Sequence, residues 1–138
     1  MTFMADIVSS EKELFHGEVT FLVAPGVMGE LGILPGHAPL LTRLQTGNIS
    51  LTTVDNQVHH IYVSGGILEI QPHLVTVLAD TGIRAADLDE AAILAAKARA
   101  EEMMANRSEL FDIAETEANL IQAINQLRTL EKYRNSRK

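Results

Sequence analysis

Two different spacings of apolar residues divide the chain. From Ile49 it reads ISLTTV, DNQ, VHHIYV, SGG, ILEIQ, PH and LVTVLAD. Short β-branched runs separated by turn residues predict antiparallel strands. Upstream, ADIVS and EVTFLVAP have the same character, with Val19, Phe21 and Val23 alternating against Thr20, Leu22 and Ala24. Both faces of that strand are largely apolar, as in a sandwich. Many short strands over roughly the first 84 residues predict an all-β sandwich or flattened barrel.

After Arg84 the pattern changes. Ala dominates, β-branched residues thin out, and neither Gly nor Pro occurs through Lys138, which is the composition of helix. Asp87 followed by Glu90, and Asp112 followed by Glu115, have the form of capping boxes with Asp in place of Ser or Thr. Helices are expected over about 88–105 and 113–134, with NRSELFD holding the turn between them. In such an antiparallel hairpin one helix presents Leu88, Ala91, Ala95, Ala98, Glu102 and Met103, and the other presents Leu120, Ala123, Ile124, Leu127 and Leu130. Burying a methyl group removes little apolar area, at about 25 cal/mol per Å². A hairpin closed on Ala is therefore held weakly and can open. The fold class is a mixed two-domain one: an N-terminal all-β sandwich over 1–86, then a C-terminal antiparallel α-helical hairpin over 87–138.

The stretch GELGILPGHAPLL, residues 29–41, fits neither pattern. Its Gly and Pro residues prevent a helix or a central strand, yet Leu31, Ile33, Leu34, Leu40 and Leu41 make it apolar. Those side chains are either buried beneath the loop or offered to a partner. His37 either satisfies backbone groups in the turn or serves as a polar anchor in a contact surface.

Charge alters the picture at one end. The chain carries net charge −7, which repels phosphate backbones and anionic lipid and argues against nucleic acid or direct membrane binding. Residues 128–138 hold five cations (Arg128, Lys132, Arg134, Arg137, Lys138) against Glu131 alone, net +4; residues 1–127 hold six cations against 17 carboxylates, net −11. A basic tail on an acidic body points to an acidic partner. With no Cys there is no disulfide, thiol nucleophile or thiolate metal site. The start MTFMADIVSS lacks a secretory pattern and no segment reaches membrane-spanning length, so a soluble chain is expected.

Catalytic motifs are weak. Gly26, Gly29 and Gly32 precede no helix and no Gly-Lys-Ser/Thr, so they read as turn chemistry. Ser64 in VSGG lacks the preceding Gly of a nucleophile elbow, and His59 and His60 would point to opposite faces of a strand. The histidines have no metal-ligand spacing, and Glu101 and Glu102 fall on a solvated helix face. Neither a metal nor a cofactor is expected.

Taken in order and spacing, GELGILPGHAPLL, YVSGGILEIQP, VTVLADT and DLDEA resemble the epsilon subunits of bacterial and chloroplast rotary F-type ATP synthases over essentially the whole chain. The resemblance implies a ten-stranded β-sandwich and a two-helix hairpin. It also implies a non-catalytic central-stalk subunit that couples the gamma subunit to the c-ring during proton-driven ATP synthesis. The chain would then be peripheral on the cytoplasmic face of the bacterial inner membrane, or the stromal face of the thylakoid, held there only through the complex. In this family the matching loop lies at the foot of the stalk. Glu30 and His37 are thus expected at or near the ring loops, with Leu31, Ile33 and Leu40 anchoring the loop to the sandwich or to gamma.

The hairpin of the family extends into the catalytic head and blocks hydrolysis, which would bring Arg128, Lys132 and Arg134 to acidic segments of the beta subunit. Relatives that bind ATP on the folded hairpin carry Ile/Leu-Asp-x-x-Arg-Ala; here Leu88 and Asp89 match but Ala92 stands at the arginine. Arg99 and Arg128 remain as phosphate partners, and ATP binding is expected to be weak or absent. A free-standing β-sandwich binding module with a helical dimerisation arm is the alternative.

Overall fold

The computed structural model describes residues 1–106 and 112–136. Within them the N-terminal part is built from β1 (Phe3–Ser9), β2 (Glu13–Gly26), β3 (Gly29–Ile33), β4 (Leu40–Leu44), β5 (Gly47–Thr53), β6 (Val58–Val63), β7 (Gly66–Ile70), β8 (Leu74–Ala79) and β9 (Gly82–Arg84). A 3-10 turn, Ala85–Asp87, leads to α1 (Glu90–Ala105) and α2 (Ile113–Ser136). The expected turn between the helices lies mostly at 107–111, outside the described residues, as do Arg137 and Lys138 of the basic tail.

The strands pair in the order β1-β8-β7-β4-β2-β5-β6-β9, with β3 on β2 and β1 closing back onto β2, so the sheet wraps into the expected sandwich. Nine strands form among the described residues where the resemblance implies ten, and the 14-residue β2 runs on through a bulge. That bulge, between Val19 and Phe21, also reverses the inward face. Val19 is buried before it and Leu22 and Ala24 after it, whereas Phe21 is exposed. Simple alternation of Val19, Phe21 and Val23 is thereby overturned, since an extra residue in one strand moves every later side chain to the other face. β1 and β8 pair in parallel, unlike the antiparallel neighbours.

The core is filled from both layers by Ile7, Leu22, Ile33, Ile49, Leu51, Ile61, Leu68 and Val77, among others. Every buried residue in it lies before the helices begin. Gly26 and Gly29 make a turn, as read, whereas Gly32 is a strand residue of β3 opposite Val23. Gly26 pairs with Gly29 around the two-residue Val27–Met28 turn, and Gly29 has φ of 129°, a value that L side chains rarely adopt.

The hairpin packs over β5, β6 and the 3-10 turn through α2. Its interhelical cluster is Ile93, Ala123 and Leu130, with Leu88 and Leu127 against it. Two expectations for α1 are corrected. The cap is Asp89, whose Oδ1 accepts the Ala92 N–H at 3.2 Å; Asp87 instead accepts from Arg84 Nε at 3.1 Å. The buried face carries Ile93 and Ala100, leaving Ala91, Ala95, Ala98 and Glu102 exposed and Met103 largely so. In a helix with Ala on all sides, the lone Ile decides which face turns inward. For α2, Asp112 caps as expected, accepting the Glu115 N–H at 3.0 Å. The inward face holds Ala123 and Leu130, with Leu120, Ile124 and Leu127 half-buried; Thr116, Gln126 and Thr129 are also buried there.

Candidate functional site

The residues expected at one foot occupy three settings. Leu31 packs against the sandwich core and Ile33 lies within it, so Ile33 takes the anchoring role toward the sandwich and is not available to gamma or the ring in this form. Glu30 lines a cleft of about 520 Å³ between the sandwich edge and α2, shared with Gln45, Asn48, Arg128 and Lys132. His37 lies beyond the other end of β3, on the 34–39 loop, where its Nδ1–H donates to the Ala38 carbonyl at 2.7 Å. The Gly36 N–H reaches the Pro72 carbonyl at 3.3 Å, which seats this loop beside the β7–β8 turn.

Three apolar side chains are left exposed there: Leu34 at 60%, Leu40 at 38% and Leu41 at 67%. Leu34 and Leu41 are the contact candidates that the sequence reading did not single out. Their apolar character beside Gly and Pro was the available signal; only the pairing of β3 with β2 and of β4 with β7 separates them from the buried Ile33.

The basic tail is folded back on its own chain. Arg134 forms an ion pair with Glu90 at the start of α1, and Arg128 and Lys132 face the cleft that holds Glu30. Arg99 lines a different cleft, of about 310 Å³ between the helices, with Thr116, Asn119 and Gln126. Leu88 is part of the hydrophobic packing and Asp89 is engaged as a cap. The four residues offered for ATP therefore do not converge on one pocket.

On β6, His59 and His60 face opposite ways, as a strand requires. His59 is exposed and lies 5.4 Å, ring centre to ring centre, from Phe15. His60 is 7% exposed, and Tyr62, two residues on, is 1% exposed on the same outward face under the hairpin. Burial pushes the Tyr62 phenol up to about 12. Burial, then Lys132 and His59, hold the His60 imidazole below its ordinary value. Ser64 is a turn residue whose hydroxyl donates to the Thr81 carbonyl at 3.5 Å. The exposed His16 pairs across strands with Asp6, and this bond and charge raise its pKa; Glu13 lies beside them.

Comparison with known proteins decides the family. A model of the ATP synthase delta/epsilon chain β-sandwich domain matches residues 2–85, and one of the long α-helix domain of the same chain matches residues 86–131. This chain belongs to the ATP synthase delta/epsilon family. The ATP synthase epsilon chain of Nitrosococcus oceani is 54% identical over 134 residues, covering 97% of this chain and 96% of that one. That of Xylella fastidiosa is 51% identical over 133 residues, covering 96% and 95%.

Two solved structures share the fold of this family member. One is of the Euglena gracilis mitochondrial ATP synthase, with OSCP, F1 and c-ring, at TM-score 0.72 and 16% identity, covering 99% of this chain and 82% of that chain. The other is of the central stalk and c-ring of the Tetrahymena thermophila mitochondrial ATP synthase, at TM-score 0.60 and 9% identity, covering 94% and 97%. Among the described residues of this chain, no helix is long and apolar enough to cross a membrane.

Proposed function

We propose that this chain is the epsilon subunit of an F-type ATP synthase, a rotor component that couples gamma to the c-ring and has no catalytic residue of its own. The observation that carries the reading is identity of about half the residues, over nearly the full length of both partners, to chains named ATP synthase epsilon. The apolar loop end at Leu34, Leu40 and Leu41, with His37 beside them, supplies the contact with the c-ring loops at the foot of the stalk. Association with the membrane, on its cytoplasmic face, is through the complex.

The hairpin is the regulatory element. In the docked form its cations are turned toward Glu90 and the Glu30 cleft. Inhibition of hydrolysis needs the opened form, in which Arg128, Lys132 and Arg134 reach acidic segments of the beta subunit. Few buried apolar residues join the helices, and they include Ala as well as Ile and Leu. Two states a few kcal/mol apart are what such packing allows. Affinity purification of the tagged chain from its own cells is the test: gamma, beta and c are expected together. Recovery of the chain alone, or only as a homodimer through its helices, contradicts the reading.

A further inference from the structure

The structure assigns to His60 the role of a proton-sensitive latch, which holds the end of α2 on the sandwich and lets go when the imidazole takes up a proton. The inference rests on the reading of the hairpin as a detachable element. It concerns what sets the balance between docked and open forms.

The geometry is a chain of hydrogen bonds that crosses from one domain to the other. Asn48 Nδ2 donates to Ser50 Oγ at 2.8 Å, and Ser50 Oγ lies 3.1 Å from His60 Nδ1. His60 Nε2 lies 3.2 Å from Ser136 Oγ, a partner 76 positions away and the last residue of α2. The Ser136 hydroxyl donates to the Tyr133 carbonyl at 3.0 Å. A hydroxyl has one proton to give. That of Ser136 is used on Tyr133, so the proton between His60 and Ser136 belongs to Nε2. A neutral imidazole carries a single ring proton, which leaves Nδ1 as acceptor for the hydroxyl of Ser50, itself accepting from Asn48. Every bond then has one donor and one acceptor, and only the neutral Nε2–H tautomer satisfies them all.

A second ring proton breaks this arrangement. Nδ1–H would meet the Ser50 O–H, donor against donor, and Ser50 must turn its proton away. The new charge would also be buried. Around it, α2 contributes Lys132 and Tyr133, β6 contributes His59, and the end of β9 contributes Arg84, which is already paired with Asp87 of the 3-10 turn. A third cleft, of about 590 Å³, opens beside His60 between β6, the 3-10 turn and the end of α2, and among the described residues lining it there is no carboxylate to receive an imidazolium.

Undocking exposes the outward face of β6 to water, where a charged His60 is hydrated. Docking depresses the imidazole pKa, so its contribution is fully present above the ordinary value of about 6.5 and is lost as pH falls toward the docked value. Acidification releases the hairpin.

The chain has no native Cys, so Glu18→Cys and Glu131→Cys, both at exposed positions, accept a single pair of spin labels that report the sandwich-to-α2 distance. On going from about pH 7.5 to about pH 5.5, a loss of the docked distance is expected. The loss should persist in His16→Gln, which removes an exposed imidazole paired with Asp6, and vanish in His60→Gln. An equal loss in His60→Gln overturns the latch. So does a Leu130→Ala chain that keeps a docked population at the higher pH and loses none of it on acidification. A hairpin that stays docked at every pH, and in Leu130→Ala as well, defeats the detachable-hairpin reading instead. Independently of any variant, imidazole ¹⁵N spectra of the full chain near pH 7.5 must show His60 as the Nε2–H tautomer; the Nδ1–H form overturns the relay.

Discussion

Arg134, in the last turn of α2, forms an ion pair with Glu90, the first residue of α1, and so ties the free end of the hairpin to its beginning. The cation proposed to act on another subunit is thereby engaged within its own chain. Both side chains remain well exposed, 58% for Arg134 and 39% for Glu90. Such a pair contributes at most about 1 kcal/mol, enough to bias a closely balanced equilibrium and too little to lock it.

Replacing Glu90 by Gln should therefore shift the hairpin toward the open form by no more than about fivefold, within the worth of an exposed pair. Inhibition of ATP hydrolysis by added chain should rise at low salt, and the difference from the unmodified chain should shrink as salt screens the pair. A change in inhibition that is indifferent to salt would assign Glu90 some other role.

A fragment ending at Ala86 should remain folded. The sandwich core is composed entirely of residues up to Ala79, and the hairpin lies outside it, over β5, β6 and the 3-10 turn. Urea denaturation should show one cooperative transition with a smaller denaturant dependence than that of the full chain, and gamma binding should persist. An unfolded fragment would mean that the hairpin supplies stability the core lacks.

Tyr62 gives the hairpin an alkaline limit. The docked phenol is pushed up to about 12, above the ordinary value of 10.0. Its folded pKa is raised, so this contribution to docking is intact below the ordinary value and is lost as pH rises through the docked one. Phenolate absorbance of a Tyr133→Phe chain, in which Tyr62 is the remaining tyrosine, should rise near pH 12 and not near pH 10. In the 1–86 fragment the same rise should move toward the ordinary value.

ATP at millimolar concentration should neither raise the melting temperature nor bind saturably. Asp89 is engaged as a helix cap, Arg99 and Arg128 line different clefts, and Ala92 supplies no guanidinium. A missing charge-assisted contact costs about 1.5–3 kcal/mol, roughly ten- to a hundredfold in affinity. Calorimetry showing micromolar binding by the unmodified chain would contradict this.

The division into sandwich and hairpin was legible because β-branched alternation and Ala-rich composition meet sharply near Arg84. Contact faces were harder. In β2 the bulge after Val19 reverses which side chains point inward, and nothing local in EVTFLVAP marks it. In α1, Asp87 and Asp89 are both competent caps, and Arg84 decides between them by engaging Asp87. The foot residues were legible as a group but not individually: the pairing of β3 with β2 buries Ile33, while Leu34 and Leu41 stay out. His60 read as one of several unremarkable strand histidines, because its partner Ser136 lies 76 positions away and only the docked hairpin brings them together.

The coupling role is tested most directly by restoring this chain to its own ATP synthase after depletion of the epsilon subunit, and measuring protons pumped per ATP hydrolysed in sealed vesicles. The account predicts that pumping, low in the depleted enzyme, is recovered while hydrolysis falls or stays level. Hydrolysis and pumping that are both unchanged by a chain bound in full to the complex would contradict it.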